Sequence, residues 1–314
     1  MNLQDEGLDL RLACESEWPR FDGMKFFLAI ASCWFSFVPW LAAQVTVDLV
    51  LDQEQYLPNE TLVIGVRVTN FSGQTLHLGK EPDWLKFSVE AQNNHIVAKL
   101  DEVPVVGEFD LESSNVATKR IDLAPYFRLT KPGRYTVTAS VSIRQMGREI
   151  SSKSKFFDII SGAKLWEQEF GMPRPLNDAS GQPEIRKYIL QQALHLKQLK
   201  LYVRVTDASE SRVFRVFPIG PLVSFSRPEL QVDKFSNLHV LNQYGAKSFN
   251  YCVINPDGET LARQTYEYTN TRPVLKTDKE GKIIVAGGVR RVTSADLPAS
   301  NTTAPTPDVK PPKP

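Results

Sequence analysis

The chain has 314 residues, with 37 basic against 36 acidic side chains and 42% hydrophobic residues. So even a balance is too mild to argue for nucleic-acid binding, which needs clustered positive charge, and the length is comfortable for two domains. The three cysteines, Cys14, Cys33 and Cys252, are too scattered to frame a disulfide-stapled fold.

Residues 1–23 carry six acids against two bases, the wrong sign for the start of an export signal. Met24–Ala43 follows with Lys25, an apolar run from Phe26 to Val38, helix-breaking Pro39 and the small pair Ala42-Ala43. These are the parts of a cleavable signal peptide, so translation is expected to begin at Met24, with 1–23 an extension wrongly read as coding. Phe26–Ala43 is 18 residues long, near the lower limit of about 17–25 for a membrane span. An uncleaved anchor and a buried apolar segment are therefore the rival readings. Ile30-Ala31-Ser32-Cys33 resembles a lipidation box, but the apolar run continues beyond it to Trp40.

Removal of residues 1–43 leaves 271 residues with 30 acids and 34 bases, and Cys252 as the sole cysteine. The finished protein is expected to be periplasmic or extracellular, with no membrane span and no intramolecular disulfide. Cys252 between Tyr251 and Val253 reads as a buried, inert thiol.

Residues 45–162 are written in period two. Val45, Val47, Leu49 and Leu51 alternate with polar neighbours, as do Leu62, Ile64, Val66 and Val68, and then Tyr135, Val137, Ala139, Val141 and Ile143. Alternate side chains of a strand point to opposite faces, so each run has one dry face and requires a second sheet to cover it. Turn residues such as Leu57-Pro58-Asn59-Glu60 and Lys131-Pro132-Gly133 separate the runs. About seven short strands in this length predict an immunoglobulin-like β-sandwich. Leu129–Tyr135 resembles the corner that enters the penultimate strand of such domains. That resemblance implies that Tyr135 is the corner tyrosine, bonded back to nearby backbone. The layout is also distantly similar to bacterial proteinase-inhibitor domains, although no inhibitory loop is legible. Over 45–162 the chain resembles exported bacterial proteins with an immunoglobulin-like domain near the N-terminus, a likeness that transfers no functional residue.

Residues 163–183 are rich in Gly and Pro and read as a linker, with room for a short strand at Lys164–Phe170 whose Trp166 and Phe170 would need cover. Residues 184–292 are expected to form a second antiparallel β-domain. Arg227–Lys234 aligns without gaps on Arg272–Lys279, 45 residues on, and Leu238 and Val240 fall on Ile283 and Val285. That period matches propeller blades of about 40–50 residues, but so few copies cannot close a propeller; blade-like repeats in an antiparallel meander are expected instead. Ile185, Ile189, Ala193 and Leu196 would share a face if 184–199 were a helix. The repeat favours a hairpin turning near His195–Gln198. Residues 293–314, with six prolines, read as a solvated tail.

No catalytic motif, phosphate-binding loop or metal-ligand spacing occurs among His77, His95, His195, His239 and the acids, so no catalytic residue, metal or cofactor is expected. Asp233, Asp257 and Asp278 mark turns and read as carboxylates bonded to their own backbone. Trp84, Trp166, Tyr266 and Tyr268 are the candidate ligand-stacking residues, Tyr266 and Tyr268 being two apart on one strand face. The leading expectation is an exported, non-enzymatic interaction or scaffold protein that binds another envelope or extracellular protein, or a glycan. A carbohydrate-binding module and a protease inhibitor or accessory hydrolase subunit are the alternatives.

Overall fold

The computed structural model describes residues 44–92, 96–172 and 184–298. Residues 1–43, which include the segment expected to be a signal, His95, most of the expected linker and the residues beyond Pro298 lie outside the described residues. Everything described is β-structure, apart from turns and one 3-10 turn at Arg144–Met146. No helix among the described residues is long and apolar enough to cross a membrane.

The first half contains β1 (Gln44–Leu51), β2 (Gln55–Tyr56), β3 (Val63–Phe71), β4 (Leu76–Leu78), β5 (Leu85–Ala91), β6 (Phe109–Leu111), β7 (Val116–Asp122), β8 (Gly133–Ile143), β9 (Arg148–Ser151) and β10 (Lys155–Ile159). One sheet runs β1-β3-β7. The other runs β2-β10-β8-β5, with β9 beside β8, and β4 pairs with β6. The period-two runs supply the inward faces: Val45, Val47, Ile64 and Val66 from one sheet join Phe87, Tyr135, Val137 and Phe157 from the other in a single buried cluster. Each such side chain contributes about 1.5–3 kcal/mol of gross burial energy.

The second half contains β11 (Ala163–Gly171), β12 (Ile185–His195), β13 (Gln198–Asp207), β14 (Val213–Pro221), β15 (Glu229–Val232), β16 (Leu238–Gln243), β17 (Ser248–Ile254), β18 (Thr260–Glu267), β19 (Val274–Thr277), β20 (Ile283–Ala286) and β21 (Val289–Arg291). The sheet β11-β12-β13-β14 and the sheet β15-β16-β17-β18-β21 share a cluster that includes Tyr188, Leu190, Val203, Val240 and Cys252. The short strand expected at Lys164–Phe170 is β11, the edge of the first of these sheets. Phe170 finds its cover on the ring of Tyr188, 4.2 Å between centroids, and Trp166 packs half-buried on the same cluster.

Residues 185–207 form the hairpin β12–β13, which turns at Leu196 and Lys197 with φ of 46° and 66°. Its two faces are both covered. Tyr188 and Leu190 enter the cluster between the sheets, while Ala193 and Tyr202 pack with Leu57 of the first half. On the far side of the five-stranded sheet, Leu241, Phe249 and Tyr251 pack against Leu275 and Ile283 of the separate hairpin β19–β20. The second half is thus three layers deep.

The solvated tail expected from residue 293 is corrected at its start. Arg263 and Leu297 exchange backbone hydrogen bonds at 2.9 and 3.0 Å, and the buried Asp296 takes Arg290 at 2.9 Å. Satisfied polar groups, rather than apolar area, hold this polar segment against β18.

Candidate functional site

The two segments that align 45 residues apart each lead into a pair of antiparallel strands. β15 pairs with β16 from Glu229↔Leu241 to Val232↔Leu238, and β19 pairs with β20 from Val274↔Ala286 to Thr277↔Ile283. The two hairpins lie together, with Leu275 N–H donating to Glu229 Oε2 at 2.8 Å. Residues of both segments line hollows at the two ends of the pair.

At the tip end, a hollow of about 380 Å3 is lined by Asp233, Phe235, His239, Glu280 and Lys282. His239 is 6% exposed. Its Nδ1 lies 2.7 Å from Tyr251 Oη and its Nε2 lies 3.2 Å from Asp233 Oδ2. A neutral ring that donates from Nε2 and accepts the tyrosine proton at Nδ1 satisfies both contacts. Burial pushes the Tyr251 hydroxyl up to about 12. Both ring nitrogens are thus committed to protein partners, and this chain of groups holds the turn rather than offering a proton to a ligand. Asp233 and Asp278 are turn carboxylates bonded to backbone N–H groups, as expected. Asp257 corrects the third assignment: the turn is held by Asn255 Oδ1, which accepts from Asp257 and Glu259 N–H, while the Asp257 carboxylate takes Arg186 at 2.8 Å.

At the base end, a second hollow of about 380 Å3 brings together Phe225, Arg227, Gln243, Phe249, Tyr268 and Arg272. Arg227 and Arg272 are the first residues of the two aligned segments. Each precedes a proline, which biases it to extended backbone and leads it into a strand. Arg272 Cζ lies 5.2 Å from the Phe249 ring centroid and its Nη2 donates to Ser226 Oγ at 3.2 Å. Its backbone is clamped by the Gly287-Gly288 turn, where a Cβ on Gly287 would meet Arg272 O at 2.6 Å. Among the described residues neither guanidinium has a carboxylate partner. Phe225 is 77% and Tyr268 41% exposed. Two arginines with free donor edges, flanked by aromatic faces, are equipped to hold a carboxylate attached to an apolar or ring-bearing group.

The stacking candidates separate. Tyr268 lines the base hollow. Tyr266 packs half-buried beside Tyr251 in the outer cluster and bonds Gln264. Trp166 is spent on the inter-sheet cluster. Trp84 is 3% exposed, with its indole N–H on Val105 O at 3.3 Å and its ring edge-on to Phe109, so it has no free face to offer. Phe225, within Ser-Phe-Ser, gave no periodic signal, and the two arginines registered as markers of the repeat rather than as a site. Of the histidines, His77 is exposed against Asp110 and His195 is buried. No group of three or more His, Cys, Asp or Glu that could hold a metal occurs among the described residues.

No protein-family model and no curated protein matches the chain. Among solved structures it is similar to the sporulation control protein Spo0M of Bacillus subtilis, with 12% identity and a TM-score of 0.29 over 55% of this chain and 83% of that one. A likeness at that score carries no argument about fold or function.

Proposed function

We propose that this is an exported, non-enzymatic interaction protein that holds a carboxylate-bearing segment of another envelope or extracellular protein at the Arg227–Arg272 hollow. The observation that carries this reading is the pair of arginines without a carboxylate partner among the described residues, Arg272 bonded only to Ser226 Oγ, beside the exposed rings of Phe225 and Tyr268. Export rests on Met24–Ala43 of the sequence. The first half is read as an immunoglobulin-like sandwich. Supporting this are the parallel pairing of β2 with β10 beside antiparallel β8 and the Tyr135 hydroxyl donating to Lys131 O at 2.7 Å, as at a tyrosine corner. The second half is read as carrying two repeat copies, supported by the matched registers of their hairpins.

An acidic glycan is the second reading, favoured by the exposure of Tyr268, whose ring could stack on a sugar. Affinity capture from the host envelope with wild type and the double variant Arg227→Ala/Arg272→Ala tests both. A protein retained by wild type and lost with the double variant supports the leading reading. Retention of uronate-containing glycans alone supports the second, and identical capture by the two chains sinks both.

A further inference from the structure

A different cleft, between the first half and the four-stranded sheet of the second, has a volume of about 460 Å3. It is lined by Asp122 and Pro125 on one side and by Arg204, Glu210, Phe214 and Arg215 on the other. Strand alternation on β13 sends Leu201, Val203 and Val205 into the inter-sheet cluster and turns Tyr202 and Arg204 the other way, toward the first half. Arg204 Nε is buried without a hydrogen-bond partner among the described residues, and the guanidinium makes no ion pair there. Tyr202 Oη and His195 Nε2, from the same sheet, are also buried and unpartnered.

Buried polar groups are nearly always satisfied, so the buried, unpartnered Nε of half-buried Arg204 is an exception that calls for a partner. The two carboxylates of the cleft are already engaged. Asp122 Oδ1 accepts from Leu62 and Ala124 N–H at 2.8 and 3.0 Å. Glu210 takes Lys187 Nζ at 3.3 Å, and Arg215 Cζ lies 5.5 Å from the Phe217 ring centroid. Arg204 and exposed Arg215 both keep an open guanidinium edge, and Arg204 is the one with a buried, unpartnered Nε; such a planar fork matches carboxylate and phosphate oxygens.

We propose that this cleft is a binding site for a small anionic ligand whose carboxylate or phosphate group is held by Arg204. The two carboxylates at its walls disfavour polyanions, and the volume suits a ligand of metabolite size. The site is separate from the Arg227–Arg272 hollow and does not depend on the function proposed for it.

The test is heteronuclear NMR of the full chain titrated with inorganic phosphate and, separately, with succinate, against sodium chloride at matched ionic strength. Saturable shifts of the Val213–Val216 and Arg204 amides are expected with at least one anion, and the responding anion identifies the preferred group. Arg204→Gln should weaken that binding at least about tenfold, while Arg227→Ala/Arg272→Ala should leave it unchanged. Arg204→Lys, which keeps the charge and loses the fork, should bind with intermediate strength, and it carries the test if the glutamine variant fails to fold. No saturable shift with either anion, or a shift that survives both Arg204 substitutions, overturns the proposal.

Discussion

Asp233 and Asp278, 45 residues apart, hold the same turn by the same bonds. Oδ1 of Asp233 accepts the N–H groups of Phe235 and Asn237 at 2.9 and 2.8 Å, and Oδ1 of Asp278 accepts those of Glu280 and Lys282, both at 2.9 Å. Asp233 adds the side chains of Asn237 and His239 through Oδ2; Asp278 has no such addition.

The two turns should therefore respond unequally to the same change. Asp278→Ala is expected to cost about 0.5–1.5 kcal/mol and Asp233→Ala about 1–3 kcal/mol, since the latter also leaves buried His239 without an acceptor. Burial raises the Asp233 carboxyl, but its hydrogen bonds from Asn237, His239 and Phe235 outweigh this and leave it below the ordinary value. A depressed acid stabilises the fold above its unfolded pKa of about 3.9, and that stability is lost as pH falls through the lower folded value. Urea unfolding of wild type and Asp233→Ala should converge across that acid window.

Glu60 should behave in the opposite sense. It is buried, and burial raises its carboxyl against the opposing pull of Leu57 N–H, Gln53 and Lys200. The folded state then holds the proton more tightly than the unfolded chain. Stability is therefore lost as pH rises from the ordinary glutamate value of about 4.3 through the raised folded one. Relative to wild type, Glu60→Gln should gain stability over that interval, read as a rising difference in denaturation midpoint.

How much of this was legible in the sequence depended on what lay behind each strand. Tyr135–Ile143 has one covered face, so its alternation is plain and its strand, β8, was predicted. Ile185–His195 has apolar cover on both faces, Tyr188 and Leu190 on one and Ile189 and Ala193 on the other. Period two is blurred there, and the same residues also match helical spacing. The sequence alignment pointed to two similar segments but not to the hollow that Arg227 and Arg272 both line, which depends on how the strands lie together. Arg204 alternates with Val203 and Val205 as any wet-face residue does, and only the folded chain places the first half over that face.

Gly287→Ala should report on the base hollow without touching its ligand edge. Gly287 has φ of 79°, which an L side chain adopts only at a cost of about 1–3 kcal/mol, and the added methyl would press on Arg272 O. Binding of the carboxylate-bearing partner is expected to weaken while the Arg204 cleft is unaffected, as measured by parallel titrations.

Tyr135→Phe removes the hydroxyl that donates to Lys131 O and should cost about 0.5–1.5 kcal/mol with the ring stack on Phe157 kept. Chemical denaturation of the purified chain gives the value.

Cys252 should resist alkylation in the native protein and react on unfolding. It is fully buried, and burial raises its thiol, disfavouring the reactive thiolate. Peptide mapping after iodoacetamide treatment, with and without denaturant, reads the modification at Cys252.

Leu57 of the first half is buried with Ala193, Tyr202 and Val216 of the second, and this has a practical consequence for dissecting the protein. A gene fragment ending near Gly162 would strip the cover from Leu57. One beginning there would expose the face that carries Tyr202 and Val216. Either piece alone would present a sticky apolar patch that the intact chain never shows, so poor expression or self-association of a fragment would reflect the cut and not the behaviour of the native molecule.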